Sequence, residues 1–148
     1  MPNAIKWEAG WVSRGTVLTT QLNALANDAR SAAGSEIANQ TNLDQLAILE
    51  LLVTFAVAPA AGAIVQIHMI QALDGTNYED GSDTVDPGIH TAIASIPVKA
   101  VTTAQRVRSN RFLIDPAKTK FILLNKSGQA FPATGSTLTL YTTNDEVQ

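Results

Sequence analysis

Cysteine is absent from this chain, histidine occurs twice, and aromatic residues are sparse: two tryptophans, two tyrosines and four phenylalanines in 148 residues. Without cysteine neither a disulfide nor a thiolate metal site can form, and the redox compartment stays undetermined. The two histidines, His68 and His90, have no partner at metal-ligand or protease spacing. Charge is also thin. Ten basic residues against thirteen acidic ones leave a net charge of −3, the opposite of the basic footprint that a nucleic-acid binder carries. No apolar run approaches the roughly 20 residues of a membrane helix, because Glu50 and Thr54 interrupt the longest one. Residues Met1 to Glu8 lack the basic-then-apolar order of a secretion signal. The expectation is synthesis and retention in a cytoplasm, or in an assembly built there. Neither a Gly-x-Ser-x-Gly elbow, a phosphate-cradling glycine loop nor a His-Glu-x-x-His pair occurs. The expectation is therefore a protein that is not an enzyme and carries no cofactor and no metal.

What is present is two-residue alternation. Leu49, Leu51, Val53, Phe55 and Val57 occupy alternate positions, the pattern of a strand with one buried face. Val65, Ile67, Met69 and Leu73 repeat it, and the hairpin-length connection Ala58-Pro59-Ala60-Ala61-Gly62 joins the two. Ile93 to Val101 predicts a further strand, placed at a sheet edge or bulge by Pro97. Gln105 to Ile114, Lys120 to Asn125 and Thr137 to Thr143 complete the set. Thr19 or Thr20 can cap a short helix with the stripe Leu22, Leu25 and Ala29, and residues 30–41 read as an edge strand or extended connection. Turn signals recur at about the 8–12-residue spacing of an all-β sandwich. The expected fold is mainly β: an antiparallel β-sandwich, jelly-roll-like, over residues 19–148. One short N-terminal helix and an extended arm or first strand over residues 1–18 complete it.

Three groups stand out as candidate contact residues. Both tryptophans, Trp7 and Trp11, lie in the first eighteen residues, where they either anchor a strand to its own core or dock on another subunit. Leu22 and Leu25 on the expected helix join them as interface candidates. Arg106 and Arg108 share one face of a strand, with Arg111 close by. They form either a solvated face or a clamp for carboxylates of a neighbouring protein, which the planar guanidinium suits. The third group is the acidic loop that begins Leu73-Asp74-Gly75-Thr76-Asn77-Tyr78-Glu79-Asp80-Gly81. It holds five of the thirteen acidic residues, Asp74, Glu79, Asp80, Asp83 and Asp86, with Tyr78 among them. Oxygen-rich loops can bind Ca²⁺, but the spacing matches no EF-hand. The alternatives are a solvated turn or a contact with a basic patch on a neighbouring subunit.

Three segments carry a family likeness: Leu73-Asp74-Gly75-Thr76-Asn77-Tyr78, Val101-Thr102-Thr103-Ala104-Gln105-Arg106, and the run from Phe121 to Phe131 with Asn125-Lys126-Ser127-Gly128-Gln129 at its centre. From about Gly15 onward the chain resembles a family of virion structural proteins of tailed bacteriophages, small β-sandwich or jelly-roll modules. Several of these are head decoration (cement) proteins, and others belong to the neck or tail. The resemblance implies a capsid decoration protein that bridges major capsid subunits, forms a homo-oligomer (a trimer by preference) and resides on the virion surface. It gives no catalytic residues to carry over, and from charge and hydropathy neither a nucleic-acid nor a membrane partner is expected. A neck, tail or fibre adaptor and a carbohydrate-binding sandwich are the alternative readings.

Overall fold

The computed structural model describes residues 5–7 and 10–147, with the backbone alone for residues 5–7 and 146–147. Eleven strands and one short helix are present among them: β1 (Ile5–Trp7), β2 (Val12–Leu18), β3 (Ile37–Ala38), α1 (Asn39–Asn42), β4 (Leu46–Val53), β5 (Ile64–Ala72), β6 (Ala92–Pro97), β7 (Gln105–Arg108), β8 (Phe112–Leu113), β9 (Lys118–Lys126), β10 (Thr137–Thr143) and β11 (Asp145–Val147). β1 and β11 pair with each other. The others form two sheets, one in the order β2-β10-β4-β7 with β8 also beside β4, the other in the order β3-β9-β5-β6. Every pairing is antiparallel. The chain crosses repeatedly from sheet to sheet, which is the double Greek-key path of a jelly roll. Among the described residues, no helix is long and apolar enough to cross a membrane.

The alternating side chains explain the layering. Ala47, Leu49, Leu51 and Val53 of β4 and Leu138 and Leu140 of β10 face Val65 and Ile67 of β5 and Phe121 and Leu123 of β9 across a closed core. Phe55 and Phe131 meet edge to face at 5.5 Å at its border. Burying each of these large side chains contributes about 1.5–3 kcal/mol before chain entropy is set against it. Gly34 lets the segment 31–35 close one side of the sandwich. Its N–H reaches Phe121 O at 2.9 Å while Ser35 N–H reaches Val17 O at 2.9 Å. A Cβ at Gly34 would lie 2.0 Å from Val17 O.

Four sequence expectations change. The helix over 20–29 shrinks to a single 3-10 turn, Thr20–Leu22. Ala24 and Asp28 adopt left-handed φ of 51° and 61°, and tertiary donors take the carbonyls a helix would use. Phe131 N–H bonds Leu25 O at 3.0 Å, and the buried amide of Asn125 bonds Leu25 O, Ala26 O and Gln129 O at 3.0, 3.1 and 2.8 Å. β4 and β5 are not a hairpin: they lie in different sheets, because their apolar faces must oppose each other across the core rather than lie side by side. The stretch Gln105 to Ile114 is two short strands, β7 and β8, separated by Ser109 to Arg111. Val57 and Leu73, expected on the buried faces, are 60% and 78% exposed, because β4 and β5 end before them. Pro97 does sit on an edge strand, β6.

The outer face of the four-stranded sheet is not open to solvent. His68, Ile70 and Ile122 point away from the central core yet are buried, because the loop over residues 73–91 folds back onto them. Gly81 lies against Ile70 and Ile122, Arg30 pairs with Asp86 at 2.8 Å, and Glu79 N–H bonds Gln71 O at 3.2 Å. Thr91 donates its hydroxyl to Gly88 O at 2.7 Å, so it accepts from Nδ1–H of His68 at 2.9 Å. Burial lowers the His68 pKa; Asp86 works in the opposite sense and Arg30 adds to the lowering. A lowered base makes the unfolded chain bind the proton first, so stability is full above about pH 6.5 and declines as pH falls below it. Urea unfolding of wild type and His68→Gln between about pH 6.5 and 5, above the range in which the carboxylates protonate, should show a loss confined to wild type. Parallel pH profiles would contradict the buried, neutral imidazole.

Candidate functional site

Among the described residues, no loop folds over the outer face of the five-stranded sheet. In register, Ile48 on β4 lies beside Tyr141 on β10, Glu50 beside Thr139 and Arg108, and Leu52 beside Arg106. These residues share one face because they occupy alternate positions opposite the core set. Trp11, Ile48, Glu50, Arg106, Arg108 and Tyr141 line a shallow depression of about 210 Å³. At its floor the Glu50 side chain is 4% exposed, and its two oxygens accept from an Arg106 terminal nitrogen and from Arg108 Nε, the latter at 2.7 Å. Burial opposes ionisation of Glu50. The hydrogen bonds and charges of Arg108 and Arg106 together outweigh it, and the carboxyl is held below the usual carboxylate range.

A second feature is one end of the sandwich. The start of β4, the end of β5, the start of β9, α1 and the junction of β10 with β11 all lie there, as the registers Leu46↔Thr143, Leu46↔Leu113, Ala72↔Lys118 and Ala38↔Lys118 require. Leu43, Leu73 and Leu113 are 60%, 78% and 72% exposed at this end. The β1–β11 ribbon is at the same end, since β11 follows Thr143 after one residue. The backbone there is firmly held. Arg14 makes two 2.7 Å contacts with the buried Asp44, which also accepts from Thr142 at 2.8 Å. The buried Asn39 exchanges hydrogen bonds with Asp44 N–H at 3.0 Å and Asp44 O at 2.8 Å, and donates to Asp115 O at 2.9 Å. Leu43 is thereby fixed in a left-handed conformation, φ 55°.

The sequence candidates divide among these places. Arg106, Arg108 and Trp11 meet at the depression; Arg111 is exposed on the connection to β8. Leu22 and Leu25 cannot be contact residues: they are 0% and 8% exposed and belong to the core, the consequence of the missing helix. Tyr78 works within the chain. Its hydroxyl donates to Glu36 at 2.6 Å, Lys120 Nζ sits 4.3 Å from its ring centre, and Glu36 also meets Lys118 at 3.3 Å. Burial and the Glu36 carboxylate raise the Tyr78 pKa. The side chain of Trp7 lies outside the described residues. In the acidic loop Asp74 accepts from the N–H groups of Thr76 and Asn77 at 2.8 and 2.7 Å, which lowers its pKa and makes it a turn-former. Three leucines and the floor residue Glu50 escaped the sequence reading. A lone carboxylate inside the most apolar strand, with an Arg-x-Arg pair elsewhere, was the available signal for Glu50.

No family model and no curated relative matches the sequence. Among solved structures the chain is similar to CBM35 from Cellvibrio japonicus Abf62, a carbohydrate-binding module, at 12% identity and TM-score 0.47, over 98% of this chain and 96% of that one. It is also similar to a chain in the structure of infectious bursal disease virus Gx strain, at 14% identity and TM-score 0.33, over 97% of this chain and 33% of that one. The N-terminal cellulose-binding domain of Cellulomonas fimi β-1,4-glucanase C follows, at 15% identity and TM-score 0.28, over 96% and 82%. At these values the likenesses carry no argument about function.

The Glu50 cluster makes a specific prediction. With a lowered pKa, Glu50 contributes stability that is full above its unfolded value near 4.3 and is lost as pH falls through the folded value. Replacing both Arg106 and Arg108 by alanine leaves a buried, unpartnered carboxylate and should cost about 1–3 kcal/mol at pH 7, with a smaller cost at pH 4. A carboxyl ¹³C titration should place Glu50 below the ordinary range in wild type and above it in the double variant. An unmoved titration would contradict the clamp.

Proposed function

We propose that this chain is a non-catalytic structural protein of a tailed-phage virion, and specifically a head decoration protein that docks on the shell of major capsid subunits. The observation that carries this reading is the end of the sandwich. Leu43, Leu73 and Leu113 are largely exposed beside the β1–β11 ribbon, on backbone held rigid by Arg14, Asp44 and Asn39. Exposed aliphatic side chains on a preorganised frame lose little entropy on docking, and many weak contacts repeated over a shell act together. The likeness of the Asp74, Gln105 and Asn125 segments to virion proteins supports the same reading. The jelly-roll path is common to capsid domains and lectins and separates neither, since fold alone does not assign function.

Replacing Leu43, Leu73 and Leu113 together by aspartate should leave thermal stability almost unchanged and weaken binding to heads lacking this protein by about 30-fold. Undiminished occupancy on purified heads would reject the docking end. Copy number per particle then separates a shell component from a neck or tail adaptor. The second reading, a carbohydrate-binding module, is favoured by Trp11 and Tyr141 sharing a depression with charged groups. A glycan array probed with wild type and Trp11→Ala tests it, and a wild-type array without signal removes it.

A further inference from the structure

The two broad outer faces of the sandwich carry complementary chemistry. On the five-stranded side, Glu50 engages one group of each arginine, and a guanidinium has five N–H donors. Two cations and one anion leave the depression with a net positive charge, and the arginine side chains are 57% and 63% exposed. Among the described residues its unspent polar groups are chiefly donors, because both arginines already occupy Glu50, the one carboxylate of that lining. A sugar hydroxyl offers a donor with each acceptor. A carboxylate offers acceptors alone and takes parallel bonds from a guanidinium. Trp11, Ile48 and Tyr141 add an apolar rim.

On the four-stranded side, the loop over 73–91 presents the matching set. Asp74 is committed to its own turn, Glu79 to His90 at 3.1 Å and Asp86 to Arg30. Asp80 and Asp83 are exposed and make no hydrogen bond or ion pair among the described residues. Val85 and Ile89, in the same loop, are 47% and 90% exposed. The loop packs on Ile70 and Ile122 from outside, so it and the arginine face lie on opposite sides of the sandwich. One molecule cannot bring its own loop to its own arginines.

We propose that the Asp80–Asp83 loop of one copy of this chain docks on the Arg106–Arg108 face of another. Such a head-to-tail contact is heterologous. Opposed faces exclude closure by two copies, so the contact closes into a ring of three or more or propagates as a filament. Being electrostatic at its centre, it weakens as salt rises. The proposal concerns the isolated protein and does not depend on the virion reading.

Sedimentation of the full chain over a concentration series, at low and high ionic strength, tests it with two variants. The loop variant is Asp80→Lys with Asp83→Lys. The face variant is Arg106→Glu with Arg108→Glu, plus Glu50→Gln so that no buried carboxylate faces like charge. Circular dichroism checks that both fold. Wild type should self-associate, and more weakly in high salt. Each variant alone should lose at least about tenfold in association, and an equimolar mixture should recover association through complexes that contain both variants. The loop variant stands as a test even where the face variant misfolds, because its substitutions are exposed. A monomeric wild type, association unchanged in the loop variant, or two folded variants that fail to complement would overturn the proposal. So would saccharide binding at Trp11 to a chain that stays monomeric.

Discussion

Each strand of this protein has two faces, and the inter-sheet core can bury only one of them. Everything else in the architecture follows from how the second faces are treated. Leu49, Leu51 and Val53 meet Val65, Ile67, Phe121 and Leu123 in the middle, and with no cysteine to staple it the sandwich depends on that contact. On one side the outer row His68, Ile70 and Ile122 would be an exposed apolar strip. The loop over 73–91 covers it, tied down by His68 with Thr91, Arg30 with Asp86 and Tyr78 with Glu36. On the other side the outer row is polar enough to remain open, with Glu50 neutralised by two arginines.

That asymmetry organises the functional surfaces. A covered face presents a loop, an open face presents side chains in fixed register, and an end presents connections. The loop offers carboxylates, the open face guanidinium groups and rings, and the end three leucines beside a terminal ribbon. None of these depends on a deep cavity. Glu50 takes one hydrogen bond from each arginine, and the remaining guanidinium donors of the depression face outward.

Most of the sandwich was legible in the sequence, because side-chain alternation reports directly on which face is buried. Thr137–Thr143 and the strands around Val53, Ile67 and Leu123 fall where the pattern puts them. What alternation does not encode is partnership. β4 and β5 look like a hairpin and are in different sheets, since facing across a core and lying side by side leave the same mark on the sequence. The segment holding Leu22 and Leu25 has helical spacing, but Asn125, a hundred residues away in the chain from Leu25, claims its carbonyls. Arg106 and Arg108 were visible as a pair on one face. Their partner Glu50 was not, because only the pairing of β4 with β7 sets it between them. The exposed leucines were hidden for the opposite reason: a leucine in sequence reads as core, and only the ends of strands reveal that Leu43, Leu73 and Leu113 are largely exposed.

The central functional claim is that one end of the jelly roll, and not its opposite end, meets the capsid shell. Site-specific photo-crosslinking on assembled heads addresses it directly, with the crosslinker placed in turn at Leu43, Leu113 and the far-end position Thr134. Capsid-protein adducts from Leu43 and Leu113, with none from Thr134, are the predicted result. Adducts from Thr134 alone, or none from any of the three on heads that carry the protein, would contradict it.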